Sequence, residues 1–434
     1  MRSMTTARPR RRPAGRTVAA ATALAVAAGL LGATGAATAA PAERARTDQA
    51  PTDQPSTDRS RTEMRSDAVE RLVRRLRGAG AVAVDVEVRR GDQTWSMAAG
   101  SSQVDPRRPA VAGSAYRAGS VSKQLVSVLA LQLVDRGTWT LDTTIGEVAP
   151  GLWPGQESVT VRQLLSHTSG LPEFLTPLVA EADTTQGFLD ATDDRWTDAQ
   201  LIAVAQQLPV TAPGEFSYSN TNYVVLGQLL TQATGRSVAA LAERRILRPA
   251  GMGDSFFADD RRLPAPRLAE YARLPRLVAL ERFHPSMFSS AGSLVSTTTD
   301  LNDFHAALES GRLIPRRLVR TMQREVAPGS GYGLGSYSVP NPCRGGATIN
   351  GHDGGTWGTV TFSLAAGRGT QVTVAMTGRS YVPQQYRKQL VLSQKLVSSA
   401  FAMTCPGRSR GDGGDRRTAS SWPATDGVSV RVGR

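Results

Sequence analysis

Residues 120–137 read SVSKQLVSVLALQLVDRG, and the run stops at Gly137. Val121, Leu125, Val128, Leu129, Leu131, Leu133 and Val134 put apolar side chains on almost every side, which predicts a helix buried at the centre of a domain. Two chemically capable residues stand at its start. Ser120 and Lys123 are three positions apart, so they share a face and the amine can approach the hydroxyl. A nucleophile with a base beside it is the minimum for covalent catalysis. A lysine on a wholly apolar helix is costly unless its charge is used or suppressed. The chain has three lysines against 48 arginines, so a retained amine at 123 points to deprotonation, which a guanidinium does not supply. Gly119 places Ser120 at the amino end of the helix, where unpaired backbone N–H groups and the dipole favour an oxyanion.

Working outward, Val69, Leu72, Val73 and Leu76 recur at helical spacing from Asp67 to Gly78. Val82, Val84, Val86 and Val88 then alternate, turn at Arg90-Gly91-Asp92 and return through Trp95 and Met97, a hairpin. Toward the other end lie a helix at 299–310, apolar runs at 359–365 and 371–376 split by Gly367-Arg368-Gly369, and a closing helix at 384–401. The middle, about 139–280, carries short helical runs at 161–166, 198–208 and 223–234 broken by Pro and Gly, and reads as a mainly helical insertion. Elements of this kind at both ends of the chain predict an α+β fold: an antiparallel β-sheet flanked by helices, plus an all-helical subdomain, within residues 67–405. No repeat of fixed period is present.

The flanks differ from this core. Residues 1–39 open with Arg8, Arg10, Arg11, Arg12 and Arg16, continue as an Ala-rich apolar run and end in Ala37-Thr38-Ala39, the pattern of a cleaved signal peptide. Gly29, Gly32 and Gly35 interrupt the run, which argues against a stable membrane anchor. The expected product is secreted, extracellular and monomeric. Residues 40–66 and 406–434 lack a core pattern and are expected to be a disordered leader and a disordered tail. The formal charge of +14 sits largely in these flanks, and about five charges remain for the core. A nucleic-acid domain is therefore not indicated. Cys343 and Cys405 are the only cysteines. In an oxidising compartment they are expected to pair. No metal-ligand spacing exists, and no cofactor is expected. The single Gly-x-Ser-x-Gly, residues 407–411, falls in the coreless tail with no strand before it and no room for a helix after it.

Two further motifs complete the chemistry. Tyr218-Ser219-Asn220 lies in a Pro/Gly-bounded loop just before a helix, where a phenol can relay a proton and an amide can bind an amide substrate. Gly351-His352-Asp353-Gly354-Gly355 precedes the strand pair; its glycines allow close approach to a ligand, and His352 would lend a polar or cationic edge near the hydroxyl.

Taken in order, Ser-x-x-Lys, Tyr-x-Asn and His-x-Gly resemble the serine β-lactamase and penicillin-binding protein superfamily. The form is similar to the class C β-lactamase branch, and especially to secreted D-alanyl-D-alanine carboxypeptidases. The resemblance covers about 69–405 and includes VRQLLSHTSGL (161–171), SAGSLVSTTTDL (290–301) and YGLG (332–335). It implies that Ser120 is acylated, that Lys123 assists its deprotonation, and that Tyr218 carries the proton to the leaving amine. Asn220 would contact the acyl-side amide, and His352 would take the place usually held by lysine. The N–H groups of Ser120 and Gly355 would form the oxyanion hole, with Asp353 and Gly354 beside the substrate. The implied partners are peptidoglycan stem peptides, β-lactams or small esters. Asp353 and Gly355 stand where the carboxypeptidases commonly carry hydroxyls, and a carboxylate there repels a peptide's terminal carboxylate unless Asp353 points away or Arg344 compensates. An esterase, a β-lactamase or a non-catalytic cell-wall peptide-binding protein are the alternatives.

Overall fold

The structure, a computed structural model, describes residues 57–180, 184–274, 276–343 and 348–405. The signal-like stretch, residues 40–56, Arg344 and the tail from 406 lie outside the described residues.

The alternating valines form strand Ala83–Arg90, which pairs antiparallel on both sides, with Gln93–Gln103 and with Thr370–Thr377. From edge to edge the seven-stranded sheet runs Arg108–Pro109, Gln93–Gln103, Ala83–Arg90, Thr370–Thr377, Thr359–Ala365, Ile349–Gly355 and Tyr337–Val339. One face packs Val84, Val86 and Val88 on Val69, Val73 and Leu76 of helix Thr57–Gly78 and on Leu392, Leu396 and Phe401 of helix Pro383–Met403. The other half of the alternation, Asp85 and Glu87, is buried as well, beneath helix Thr298–Ser310. Glu87 accepts from Thr299 Oγ1 at 2.6 Å and from Asn302 Nδ2 at 3.1 Å. The sheet is therefore covered on both faces, in accord with the predicted α+β class.

Helix Ser122–Asp135 is buried from Ser122 to Leu133, as its all-round apolar surface requires. It is preceded by a single 3₁₀ turn, Gly119–Val121, that carries Ser120. Threonine capping boxes at Thr144, Thr160 and Thr197 start three of the helices in the middle third, each satisfying orphan N–H groups at a helix amino end.

Three expectations change. The first helix begins at Thr57, so residues 57–66 belong to it and not to a disordered leader. No Gly or Pro interrupts that stretch, and its Arg, Glu and Met favour helix even without core residues. The middle third is not wholly helical. Strands Phe256–Phe257, Tyr271–Leu274 and Arg276–Ala279 join two small sheets; runs of two to four residues are too short to show a period. His352 lies on a strand, Ile349–Gly355, rather than before one, because three glycines in seven residues hide a β pattern.

A disulfide joins Cys343 to Cys405 and ties the segment after Tyr337–Val339 to the end of helix Pro383–Met403. Among the described residues no helix is long and apolar enough to cross a membrane.

Asp85 makes the fold sensitive to pH. Its Oδ2 accepts the Gly113 N–H at 3.0 Å, while Oδ1 is buried without a partner. Burial pushes this carboxyl up to about 7; the Gly113 N–H opposes the shift and Glu87 adds to it. The folded state thus holds the proton more tightly than the unfolded chain, whose carboxyl titrates near 3.8. The contribution is complete below pH 4 and is lost as pH rises toward 7. We expect Asp85→Asn to gain roughly 3 to 4 kcal/mol over the parent between pH 4 and pH 7.5 in denaturant titrations. A constant difference across that range would show that Asp85 does not titrate there.

Candidate active site

The 3₁₀ turn at Ser120 is set by Gly119, whose φ of 57° is open to glycine at no steric cost. Ser122 pins the turn, donating to the Gly119 carbonyl at 2.7 Å and accepting the Leu294 N–H at 3.0 Å. One turn on, Lys123 is fully buried. Its Nζ lies 3.0 Å from Ser120 Oγ, 2.7 Å from Asn220 Oδ1 and 2.8 Å from the Ala291 carbonyl oxygen. The last two atoms can only accept. A neutral amine gives them its two N–H groups and keeps its lone pair for the Ser120 hydroxyl, which is the geometry of a base. Burial pushes the amine down to about 7, against the charges of Glu173 and Asp353, which pull it up. An amine that titrates near neutrality keeps a substantial unprotonated fraction at neutral pH.

Asn220 stands just before helix Thr221–Thr234. Its backbone N–H and its Nδ2 both donate to Glu173 Oε2, at 2.5 and 3.0 Å. The carboxylate thereby orients the amide so that its oxygen faces Lys123. Burial raises the Glu173 carboxyl pKa, opposed first by the Asn220 N–H and also by Lys123. Sequence reading did not single out Glu173 or the Ala291 carbonyl. For Glu173 the only signal was a lone acid two residues after SHTSGL, in a stretch otherwise apolar or small.

Tyr218 covers the amine, with Lys123 Nζ 5.0 Å from its ring centroid. The Ser120 side chain lies close enough to the phenol to favour its ionised form, though short of hydrogen-bond geometry, and the buried phenol oxygen has no other partner. Burial dominates and holds the phenol pKa well above its usual range. His167, also not singled out, stacks on Tyr218 at 4.2 Å between centroids and accepts the Ser219 N–H at 3.2 Å through Nδ1. It fixes the loop that carries Tyr218 and Asn220.

His352 departs from expectation. It is fully buried, its Nε2 lies 2.8 Å from the Tyr332 hydroxyl, and Nδ1 contacts the Asp353 carbonyl. Burial, then the Lys123 charge, pushes the imidazole down to about 3. Both causes favour the neutral ring over a cationic edge at 352. The ring packs behind Tyr218, 6.2 Å away between centroids, and supports the wall of the site.

Gly354 and Gly355 lie directly against the turn of Ser120. A Cβ on Gly354 would sit 2.0 Å from the Ala118 oxygen, and one on Gly119 would sit 2.6 Å from the Gly355 oxygen. Only glycine permits this backbone contact, and it places the N–H groups of Ser120 and Gly355 on adjoining segments. The Asp353 side chain is 13% exposed and reaches to 3.7 Å from His352 Nδ1.

A hydroxyl, a buried amine, an oriented amide and a phenol, set between an antiparallel sheet and a cluster of helices, form the arrangement of a serine hydrolase. The chain belongs to the Beta-lactamase family, whose profile matches residues 67–395. It is 29% identical over 322 residues to the esterase EstB of Burkholderia gladioli, spanning 65% of this chain and 81% of that protein. It is 26% identical over 275 residues to penicillin-binding protein 4 of Amycolatopsis lactamdurans, spanning 57% of this chain and 68% of the relative. Among solved structures, a D-stereospecific amidohydrolase from Streptomyces superposes with a TM-score of 0.65 at 28% identity, over 75% of this chain and 97% of the other.

Proposed function

We propose that this protein is a secreted hydrolase that forms an acyl-enzyme on Ser120 and cleaves amides of D-configured amino acids. The observation that carries the reading is the triple contact of the buried Lys123 amine with Ser120, Asn220 and the Ala291 carbonyl. The substrate carbonyl oxygen would lie between the N–H groups of Ser120 and Gly355. Neutral Lys123 takes the hydroxyl proton as Ser120 Oγ bonds to the carbonyl carbon. The C–N bond then breaks as Tyr218 relays that same proton from Lys123 to the leaving amine, and water later hydrolyses the ester, its proton returning to Ser120 Oγ. The pattern of residues 1–39 supports export.

The resemblance in sequence favours a D-alanyl-D-alanine carboxypeptidase, and the likeness to a penicillin-binding protein supports that as a second reading. The charges favour the amidase. Glu173 and Asp353 both act on Lys123, and among the described residues no arginine hydrogen-bonds to Ser120, Lys123, Asn220 or Glu173. A substrate ending in a carboxylate meets repulsion here, whereas one with a free ammonium is attracted. Mass spectrometry after exposure to penicillin, with parallel assays on a D-amino-acid amide, a D-Ala-D-Ala peptide and a short-chain ester, tests both readings. We expect a covalent label on Ser120 that Ser120→Ala lacks, and at least tenfold higher kcat/KM on the amide than on the peptide. Preference for the peptide would install the carboxypeptidase; preference for the ester, an esterase; no label and no turnover would remove enzymatic acyl transfer altogether.

A further inference from the structure

Three residues before Ser120, Arg117 is 4% exposed and its guanidinium lies in a second buried cluster. Its Nε lies 2.9 Å from Glu270 Oε2, and its Nη2 donates to the Arg261 carbonyl at 2.8 Å. The other carboxylate oxygen of Glu270 accepts from two hydroxyls, Thr356 Oγ1 and Thr359 Oγ1, the latter at 2.9 Å. Thr356 directly follows Gly355, and Arg379 Nη1 donates to its carbonyl at 3.0 Å. Thr359 closes the turn by donating its N–H to Thr356 Oγ1 at 3.1 Å.

One carboxylate thus connects the segment leading into Ser120 to the segment leaving Gly355. Those are the two segments whose N–H groups form the oxyanion hole in the proposed acyl-enzyme mechanism, on which this inference rests. We infer that Arg117, Glu270 and Thr356 are positioning residues that fix the spacing of the two oxyanion-hole donors. A buried ion pair is a weak stability device, because desolvation offsets most of its attraction and apolar replacements are often neutral. What such a pair supplies is direction, and donors aimed at a developing oxyanion depend on small displacements. Glycine contacts alone bring the two segments together; the ion pair and its threonine bonds set their relative height.

Glu270→Gln keeps the shape and one acceptor but removes the charge. We expect kcat to fall at least tenfold with KM within twofold, and the inhibition constant of a boronic acid that forms a tetrahedral adduct on Ser120 to weaken by the same factor as kcat/KM. Thr356→Val, which leaves the ion pair in place, should show a smaller loss of the same kind. It keeps the question open to decision should Glu270→Gln fail to fold. Glu270→Asp should recover part of the loss. A merely structural role would instead lower the melting temperature while leaving boronate affinity and kcat per folded molecule unchanged, and that result in either variant overturns the inference. Wild-type protein that penicillin does not label would overturn the acyl-enzyme reading itself; labelled wild type with variants equal to it would overturn this inference alone.

Discussion

Replacing Lys123 with methionine is expected to lower kcat by about a thousandfold or more, the range seen when a positioned base is removed. Methionine fills the buried space without a charge, so the fold should survive, and a melting curve near that of the parent would show it. The same amine sets the pH dependence. Its pKa is pushed down to about 7 by burial, and the base is the unprotonated form. kcat/KM should therefore rise with pH through a midpoint near 7 and be lost below it. Glu173 and Asp353 pull that pKa upward, so Glu173→Gln and Asp353→Asn should each move the midpoint to lower pH, by removing a negative charge that stabilises the ammonium. A midpoint that moves upward, or Lys123→Met retaining more than a tenth of the parent rate, would remove the amine from the mechanism.

A second large effect needs only one methyl group. Gly354→Ala puts a Cβ 2.0 Å from the Ala118 oxygen, and neither partner is a side chain that can swing aside. The strand must retreat from the turn of Ser120, which separates the two backbone donors. We expect a loss of about 10² to 10³ in kcat, the scale of losing one oxyanion-hole donor, together with slower labelling by penicillin. Gly253→Ala is the control, since a methyl group there would meet nothing within 4 Å, and it should be close to neutral. Parent-like turnover in Gly354→Ala would mean that the segments need not touch.

Legibility in the sequence followed the physics of each element. The buried helix, the hairpin and the strands at 359–365 and 370–377 announce themselves through uninterrupted apolar patterns, and the structure places them where those patterns require. Ser120, Lys123, Tyr218 and Asn220 were legible because their residue types carry chemistry at fixed spacings. Glu173 was not: its importance comes from the fold carrying it to Asn220, 47 positions away. The Ala291 carbonyl has no side-chain signature at all. For His352 the sequence left a polar and a cationic edge both open, because nothing in a glycine-rich stretch tells that the imidazole packs against Tyr332 and Tyr337. Asp85 and Glu87, the polar half of the alternation at 83–90, meet polar side chains of another helix, a contact that the strand's own pattern does not announce.

The sheet order has a consequence for biogenesis. Strand Ala83–Arg90 leaves the ribosome early, yet one of its two hydrogen-bonding neighbours is Thr370–Thr377, almost three hundred residues later. Until that partner emerges, a nascent polypeptide holds a valine-rich edge without its mate, so assembly cannot proceed domain-wise from the amino end. Truncations before residue 370 should accumulate as aggregates rather than as smaller native molecules.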